Sequence, residues 1–326
     1  MTKVAVVILN YNGQIFLEKF LPSVVENNDG YEIFIADNAS TDSSLDFLRS
    51  NYPTLKTIQL SSNQGFAGGY NKALQEIEAE YYVLLNSDVE VTKNWVKPII
   101  DLMQNDASIA ACQPKIRSYH QKTHFEYAGA AGGYIDWLGY PFCRGRVFDS
   151  YEQDLGQYDD TKEVFWATGA CMFVRANVFH QLGGFDTHFF AHMEEIDLCW
   201  RMKNAEYKIM YSSAATVYHV GGGTLHKSNP RKTFLNYRNG LAMLYKNLPS
   251  EKLFSTIFLR LVLDGISGIK LLVDGSLSDF LAVIKAHFAF YAMIPKLERK
   301  TPKNVSKIYQ KSIVWEYFVK KQKPTI

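Results

Sequence analysis

Residues 81–95, YYVLLNSDVEVTKNW, pass from a strand-like run to a polar loop within a few positions. Tyr81, Tyr82, Val83, Leu84 and Leu85 are apolar or aromatic at every position. That is the pattern of a parallel strand covered on both faces. Asn86, Asp88 and Glu90 follow on alternate positions, so an extended backbone would turn their oxygens to one side. Taken alone, a polar turn at a strand end explains them as well. The preceding chain repeats the transition three times. KVAVVIL (3–9), YEIFIAD (31–37) and LKTIQL (55–60) read as strands, and helices are expected over 14–26, 43–50 and 69–80. Such alternation gives an open, doubly wound, mostly parallel α/β sheet, Rossmann-like in layout. Ligands of these sheets sit beyond the carboxyl ends of the strands. The loops NYNG (10–13), DNASTD (37–42), SNQGFAGGYN (62–71) and NSDVE (86–90) all fall there. Four polar or glycine-rich loops converging on one crevice make a ligand site.

Composition bounds the rest. The 326 residues are 47% hydrophobic and 21% charged, as in a globular protein, and the net charge of +2 gives no reason to expect nucleic acid. Cys112, Cys143, Cys171 and Cys199 are widely spaced, so reduced, buried thiols are expected rather than a zinc ribbon or disulfide framework. The N-terminal apolar run is too short for a secretory signal, and no uninterrupted apolar stretch reaches the length of about 18 residues that a membrane span needs. A cytoplasmic protein is the expectation. Charge is uneven, however: nine basic residues from Lys296 onward face only Glu298 and Glu316, a net of +7.

Residues 119–158 are irregular and rich in Gly and aromatics, and read as a loop or hairpin excursion over the active face. VFWATGACMFVR (164–175) reads as one apolar strand, followed by a short helix, the turn LGGFD (182–186), and a helix over MEEIDLCWRMKNA (193–205). Short strands are expected at 207–210 and 215–219, and only helices beyond Pro230.

Several residues carry chemistry. Asp88, at a strand end facing phosphates, suits a hard divalent cation. Asp37 can accept the imide N–H of a pyrimidine base, although an Asx turn or helix cap in the same loop is the alternative. Gly65, Gly68 and Gly69 precede a helix whose N-terminus favours anions, but form neither a Walker loop nor G-x-G-x-x-G. In EEIDLCWR (194–201), Asp197 and Arg201 make a structural i, i+4 pair, while Glu194 and Glu195 open the helix. One ionised carboxylate there can serve as general base, and a helix cap is the alternative. His219 ends a strand before VGGGT and can join carboxylates on a metal; His188 and His192 take a structural reading.

Together VVILNYNG, IADNASTDSS, NQGFAGGYNKAL, LLNSDV, ATGACMFVR, LGGFDTHFFAHMEEIDLCWR and YHVGGGT resemble, in order, the family 2 glycosyltransferases of the GT-A fold, over about residues 3–225. The rhamnosyltransferase-like branch, which builds bacterial surface polysaccharides, is the nearest likeness. The resemblance implies an inverting transfer from a dTDP-, UDP- or GDP-sugar to a saccharide or lipid-linked acceptor. It implies donor contacts from Asn10, Tyr11, Asn12, Asp37, Asn63, Gly65, Gly68, Asn71, Asn86 and Ser87. Asp88 would hold Mg²⁺ or Mn²⁺ with His219 as a further ligand; Asn86 stands where the family motif has an acid, and is the weaker ligand. Glu195 would be the catalytic base, with Glu194 beside it. A catalytic domain over 1–225, with a nucleotide-sugar half (1–115) and an acceptor half (116–225), would precede a helical extension over 226–326. The apolar segments of that extension, with the basic tail, read either as a peripheral contact with the inner face of the cytoplasmic membrane or as a cap or homodimer interface. A sugar nucleotidyltransferase and an inactive scaffold on the same fold are the alternatives.

Overall fold

A computed structural model describes residues 3–221, 229–300 and 302–322. The first half alternates as the sequence predicts: β1 (Val4–Asn10), α1 (Gln14–Glu26), β2 (Glu32–Asp37), α2 (Ser44–Asn51), β3 (Lys56–Gln59), α3 (Gly65–Leu74) and β4 (Tyr81–Asn86). The order β4-β1-β2-β3 is parallel throughout. Successive β1 residues pack into opposite layers: Val4, Val6 and Ile8 join Leu17 and Leu21 of α1, whereas Ala5 and Val7 join Tyr70 and Leu74 of α3. Both faces are covered, which is why every position in the strand is apolar. β3 departs from that expectation. It is the sheet edge, exposed along most of its length, and only Ile58 of KTIQ is apolar. Polar side chains and the Lys56–Glu32 ion pair (2.6 Å) suit an edge that nothing covers.

The second half adds β5 (Val89–Val91), α4 (Lys97–Asn105), β6 (Ile109–Ser118), β7 (Gly133–Asp136), β8 (Pro141–Cys143), β9 (Arg146–Val147), β10 (Ser150–Tyr151), β11 (Thr161–Val164), β12 (Cys171–Arg175), α5 (Ala176–Gln181), α6 (Glu194–Asn204) and β13 (Lys208–His219). The main sheet runs β11-β13-β6-β12-β4-β1-β2-β3, with β5 on β13. β12 lies antiparallel between β4 and β6, so the mostly parallel sheet is mixed. Three expectations change. The segment 164–175 is two strands, broken where the Thr168 backbone N–H donates to Gln113 and its hydroxyl accepts from the Ala170 N–H. The two strands expected at 207–219 are one, whose polar middle is a register shift against β6 between Ser212 and Thr216. Helix α3 starts at Gly65, several residues earlier than the glycines suggest.

The irregular stretch forms a second sheet, β10-β9-β8-β7-β14. Its last strand, β14 (Ile308–Tyr309), comes from the C-terminal segment, where only helices were expected. Two residues are too few to leave a pattern. Between lie α7 (Pro230–Asn247), α8 (Ser250–Val273) and α9 (Leu277–Met293). Residues 277–296 are long and apolar enough, by length and composition, to cross a membrane (mean hydropathy 1.4). Lys285 and His287 interrupt the run, and α9 packs on α7 and α8. All four cysteines are free and buried. The expected division at 225/226 and residues 222–224 of VGGGT lie outside the described residues.

Candidate active site

The ends of β1 and β2 are level, Asn10 beside Asp37. Asn10 Nδ2 donates to Asp37 Oδ2 (3.1 Å) and Ser40 Oγ (3.1 Å), and Asp37 Oδ1 accepts from the Ser40 N–H (2.9 Å). Asp37 thus caps its own loop three residues on, while Asp42 makes the Asx turn with the Ser44 N–H (3.1 Å); Asn10 and Asp37 are fully buried, with Asn10 Oδ1 lacking a partner. Asn12, at φ +50°, accepts the Thr41 N–H (2.7 Å), so the NYN and DNAST loops are stitched together beneath the exposed ring of Tyr11.

The third loop is occupied by the protein itself. Gly65 sits at φ +70°, and a Cβ there would meet the Phe190 carbonyl oxygen at 2.5 Å. The Phe66 and Ala67 amides, first in α3, donate to that same oxygen at 2.8 and 3.2 Å. The helix N-terminus expected to favour an anion is thus satisfied by a backbone carbonyl. Gly68 packs against Gln64; Asn63 accepts from Asn38 Nδ2 and the Gly65 N–H; Asn71 exchanges hydrogen bonds with the Phe185 backbone (2.7 and 2.9 Å). The Phe66 and Ala67 amides and Asn71 tie the first half of the chain to the loop before α6.

Asn86 and Ser87 close β4, and Ser87 lies beside Gly13. The chain then turns at Ser87–Asp88 before β5. Asn86, Asp88 and Glu90 consequently do not form one extended ridge: Glu90 is drawn away to Lys122. Asp88 meets His219 where β5 pairs with the end of β13, with Oδ1 3.1 Å from Nε2. The other imidazole nitrogen, Nδ1, lies 3.2 Å from Glu126 Oε2. Burial alone would lower the proton affinity of His219, but the two flanking carboxylates raise it well above the ordinary value. Burial would likewise raise the Asp88 carboxyl, and the imidazole holds it below its usual range.

Among the described residues no group of three or more His, Cys, Asp or Glu is placed to hold a metal ion. The Asp88–His219 pair nevertheless fits a divalent cation of the Mg²⁺ type. Such ions take one or two protein ligands and leave the remaining positions to phosphate oxygens and water. Asp88 and Glu126, which flank His219, supply negative charge there, and His219 would give up its proton to join an ion.

Glu194 and Glu195 open α6, and an outer oxygen of each is buried without a hydrogen-bond partner. Burial raises both carboxyls, Glu194 well above the usual value and Glu195 to about 7, with like-charge repulsion from Glu195 adding to the shift of Glu194. The backbone leading to them is strained: Phe190, His192 and Met193 have φ of +64°, +70° and +73°. For side chains with a Cβ this region is disfavoured by roughly 1–2 kcal/mol each. Asn239 of α7, fully buried, holds the turn by donating Nδ2 to the carbonyls of Phe189 (2.9 Å), Ala191 (2.9 Å) and His192 (2.8 Å). Arg238 adds bonds to the carbonyls of His188 and Phe189. One turn further on, Asp197 accepts from Arg201 (2.8 Å), as expected, and also from Lys246 (2.9 Å) and Asn247 (2.8 Å) of α7. His188 pairs with Asp186 (2.8 Å), and burial with nearby Lys232 pushes His192 down to about 4, leaving it neutral.

A cavity of about 380 Å³ opens on the Asp88–His219 side, lined by Ser118, His124, Glu126, Tyr127, Tyr151 and Lys232 among others. Glu126 joins it to the Asp88–His219 pair, and Lys232 joins it to the turn before Glu194. Cys143, packed behind, lies within electrostatic reach of both Glu126 and Glu195. Basic groups reach the turn before α6 from α7, where Arg231 stacks over Phe190 at 5.0 Å. Glu126, Asn38, Lys232 and Asn239 were not singled out from sequence. Only Asn38, inside DNASTD, lay in a motif that pointed here.

Residues 5–183 match the model for Glycosyl transferase family 2. The chain belongs to this family. It is 25% identical over 230 residues to an N-acetylglucosaminyl-diphospho-decaprenol L-rhamnosyltransferase of Mycobacterium tuberculosis, covering 66% of this chain and 75% of the relative. It is 27% identical over 216 residues to the O-antigen chain rhamnosyltransferase WbaN of Salmonella anatum (65% and 62%). The fold is that of a mannosyltransferase from Pyrobaculum calidifontis solved in complex with GDP-Man and Mn²⁺, at a TM-score of 0.55 and 13% identity over 89% of this chain and 87% of that one. This family 2 enzyme is therefore a GT-A glycosyltransferase of the rhamnosyltransferase-like branch, and the nucleotidyltransferase and scaffold alternatives fall away.

Proposed function

We propose that this glycosyltransferase moves a sugar of the rhamnose type, with inversion, from a nucleoside-diphosphate sugar to a lipid-linked saccharide at the inner face of the cytoplasmic membrane. The observation that carries the reading is the half-buried Glu195 at the start of α6, its Oε2 enclosed without a partner and its carboxyl raised to about 7. A base whose proton affinity matches the working pH is the effective kind for taking a proton from a hydroxyl. Glu194, raised further, keeps its proton and leaves one negative charge for the pair to use.

The division of work follows the geometry. Asp37, Asn10 and Asn12 form the floor and rim that receive the nucleoside, with Tyr11, Asn86 and Ser87 beside them. Asp88 and His219 would hold Mg²⁺ or Mn²⁺. When bound there, the ion supplies charge neutralisation for the departing diphosphate. Glu126 and the aromatic and polar walls of the cavity orient the sugars. Glu195 takes the acceptor hydroxyl proton as the oxygen attacks the anomeric carbon from the face opposite the leaving group. The lipid-linked acceptor is supported by the diphospho-decaprenol rhamnosyltransferase of Mycobacterium tuberculosis, and the metal by the Mn²⁺ in the Pyrobaculum calidifontis complex.

The test is thermal shift against dTDP-, UDP- and GDP-sugars, each with and without Mn²⁺, since a ligand of the folded state raises the melting temperature. A Mn²⁺-dependent rise with one nucleotide is expected. A Glu195→Gln variant should keep that rise and lose transfer. No rise with any donor, or wild-type transfer by the variant, overturns the reading.

A further inference from the structure

Helix α8 is amphipathic with its faces exchanged. The residues it buries are Thr256, Arg260, Asp264 and Gly268, one per turn along one stripe. Arg260 donates to Asp264 (2.9 Å) and to the Leu138 carbonyl (3.2 Å), and Tyr140 donates to Asp264 (3.2 Å). The polar stripe thus seats α8 on the 136–140 turn of the second sheet. The outward face is apolar: Phe254 is 84% exposed, Phe258 56%, Ile266 59% and Ile269 59%. α9 continues that face with Phe288, 72% exposed, and Tyr291, 51%. Its own inner face is committed, with Phe290 against Tyr245 and Asp279 accepting from Thr233 (2.6 Å). α9 is thus held to the rest of the protein by one face and leaves the other open. The result is a two-helix apolar plate, far beyond the scattered apolar side chains normal on a surface.

Exposed lysines lie along the hairpin and the segment after it, among the acids Glu251, Asp274 and Glu298. Lys285 and Lys296 are exposed on α9 and just after it, and Lys320 and Lys321 are exposed beyond Trp315 and Phe318, themselves 56% and 44% exposed. Apolar residues rimmed by lysine and aromatic side chains match an anionic bilayer surface, where the rings enter the headgroup boundary and the lysines meet phosphate.

We infer that the outer face of the α8–α9 hairpin lies in the interface of an anionic membrane, holding the catalytic crevice against the surface that carries a lipid-linked acceptor. The inference rests on the proposed acceptor class for its purpose, though not for its test. The intact protein is floated with vesicles of phosphatidylcholine alone and of phosphatidylcholine with phosphatidylglycerol, at low and high salt, with no donor or acceptor present. Binding to the anionic vesicles, weakened by salt, is expected. Phe254→Asp with Phe288→Asp should lower the bound fraction at least tenfold, and Lys285→Glu with Lys296→Glu should remove the preference for anionic lipid. Because these side chains face outward, the variants should melt like wild type and keep the Mn²⁺-dependent donor shift. A wild-type protein that ignores both vesicles overturns the inference. So does one that runs as a dimer which the Phe variants dissociate, because that makes the plate a self-interface. Failure of the donor shift, by contrast, would strike the proposed reaction and leave the vesicle result standing.

Discussion

Replacing Glu195 by Gln should make the protein more stable, and more so at high pH than at low. In the unfolded chain the carboxyl titrates near 4.5, and in the folded protein burial raises it to about 7. A raised acid binds its proton more tightly when folded, so stability is greatest below the unfolded value and falls as pH climbs from about 4.5 to 7. At about 1.36 kcal/mol for each unit, the part lost between pH 5 and 8.5 is about 2.5 kcal/mol. Glutamine has the same shape and no charge to desolvate. For a chain of this length the unfolding entropy is about 0.7 kcal/mol/K, which converts the difference to roughly 3 to 4 °C. Melting temperatures of wild type and variant at pH 5 and 8.5 read it, with Glu194 the one neighbouring carboxyl whose titration the substitution also changes, since the Glu195 charge helps to raise it. The gap should widen by that amount while transfer is lost. A gap independent of pH would mean that the carboxyl is solvated like any surface acid, and the case for a base tuned by burial would fail. A gap that widens while transfer survives would leave the buried acid in place and remove its catalytic role.

Two further outcomes follow from the neighbouring groups. Asp88→Asn should abolish the Mn²⁺-dependent part of the donor thermal shift and lower the proton affinity of His219, visible by NMR titration of its imidazole; a retained metal-dependent shift would take Asp88 out of the ion site. Asn239→Ala removes three hydrogen bonds and leaves buried carbonyls unpaired, so it should cost about 2–4 kcal/mol in stability and lower kcat at least tenfold with donor KM unchanged. An unchanged kcat in a folded Asn239→Ala protein would show that the turn keeps its shape without help.

How much of this was legible in the sequence depended on the range of the interaction. β1, β2 and β4 were legible because strands covered on both faces leave no polar position, and the loops that end them were legible by placement alone. β3 kept its place but not its burial, since an edge strand needs only one apolar side chain. Glu194 and Glu195 were legible as acids at a helix start. Their altered proton affinity was not, because it comes from what covers them. Asn86, Asp88 and Glu90 misled through their spacing: the alternation was real, but a turn at Ser87–Asp88 broke the extended geometry that would have aligned them. Glu126 left no local signal, since it reaches His219 only through the folding of an irregular stretch onto β13.

The strained turn before α6 explains why the helical extension belongs to the catalytic unit. Phe190 O accepts from the first amides of α3, and Asn239 binds the carbonyls of Phe189, Ala191 and His192 from α7. Three residues in a disfavoured backbone region cost several kcal/mol together. The bonds from α3 and α7, at about 1 kcal/mol each, offset much of it. Both sets converge on the turn that opens α6, so the nucleotide-side loop and the extension together hold the start of the helix that carries Glu194 and Glu195. The expected boundary near residue 225 follows the end of the sequence resemblance, and the bonds from Asn239 cross it to the loop before α6. The same α7 supports α8 and α9, so a protein seated on a membrane through the hairpin would orient the base through one rigid helix. Anything that moved α7 relative to α3 would then act on the proton transfer before it acted on donor binding, which is why the two must be measured separately in Asn239→Ala.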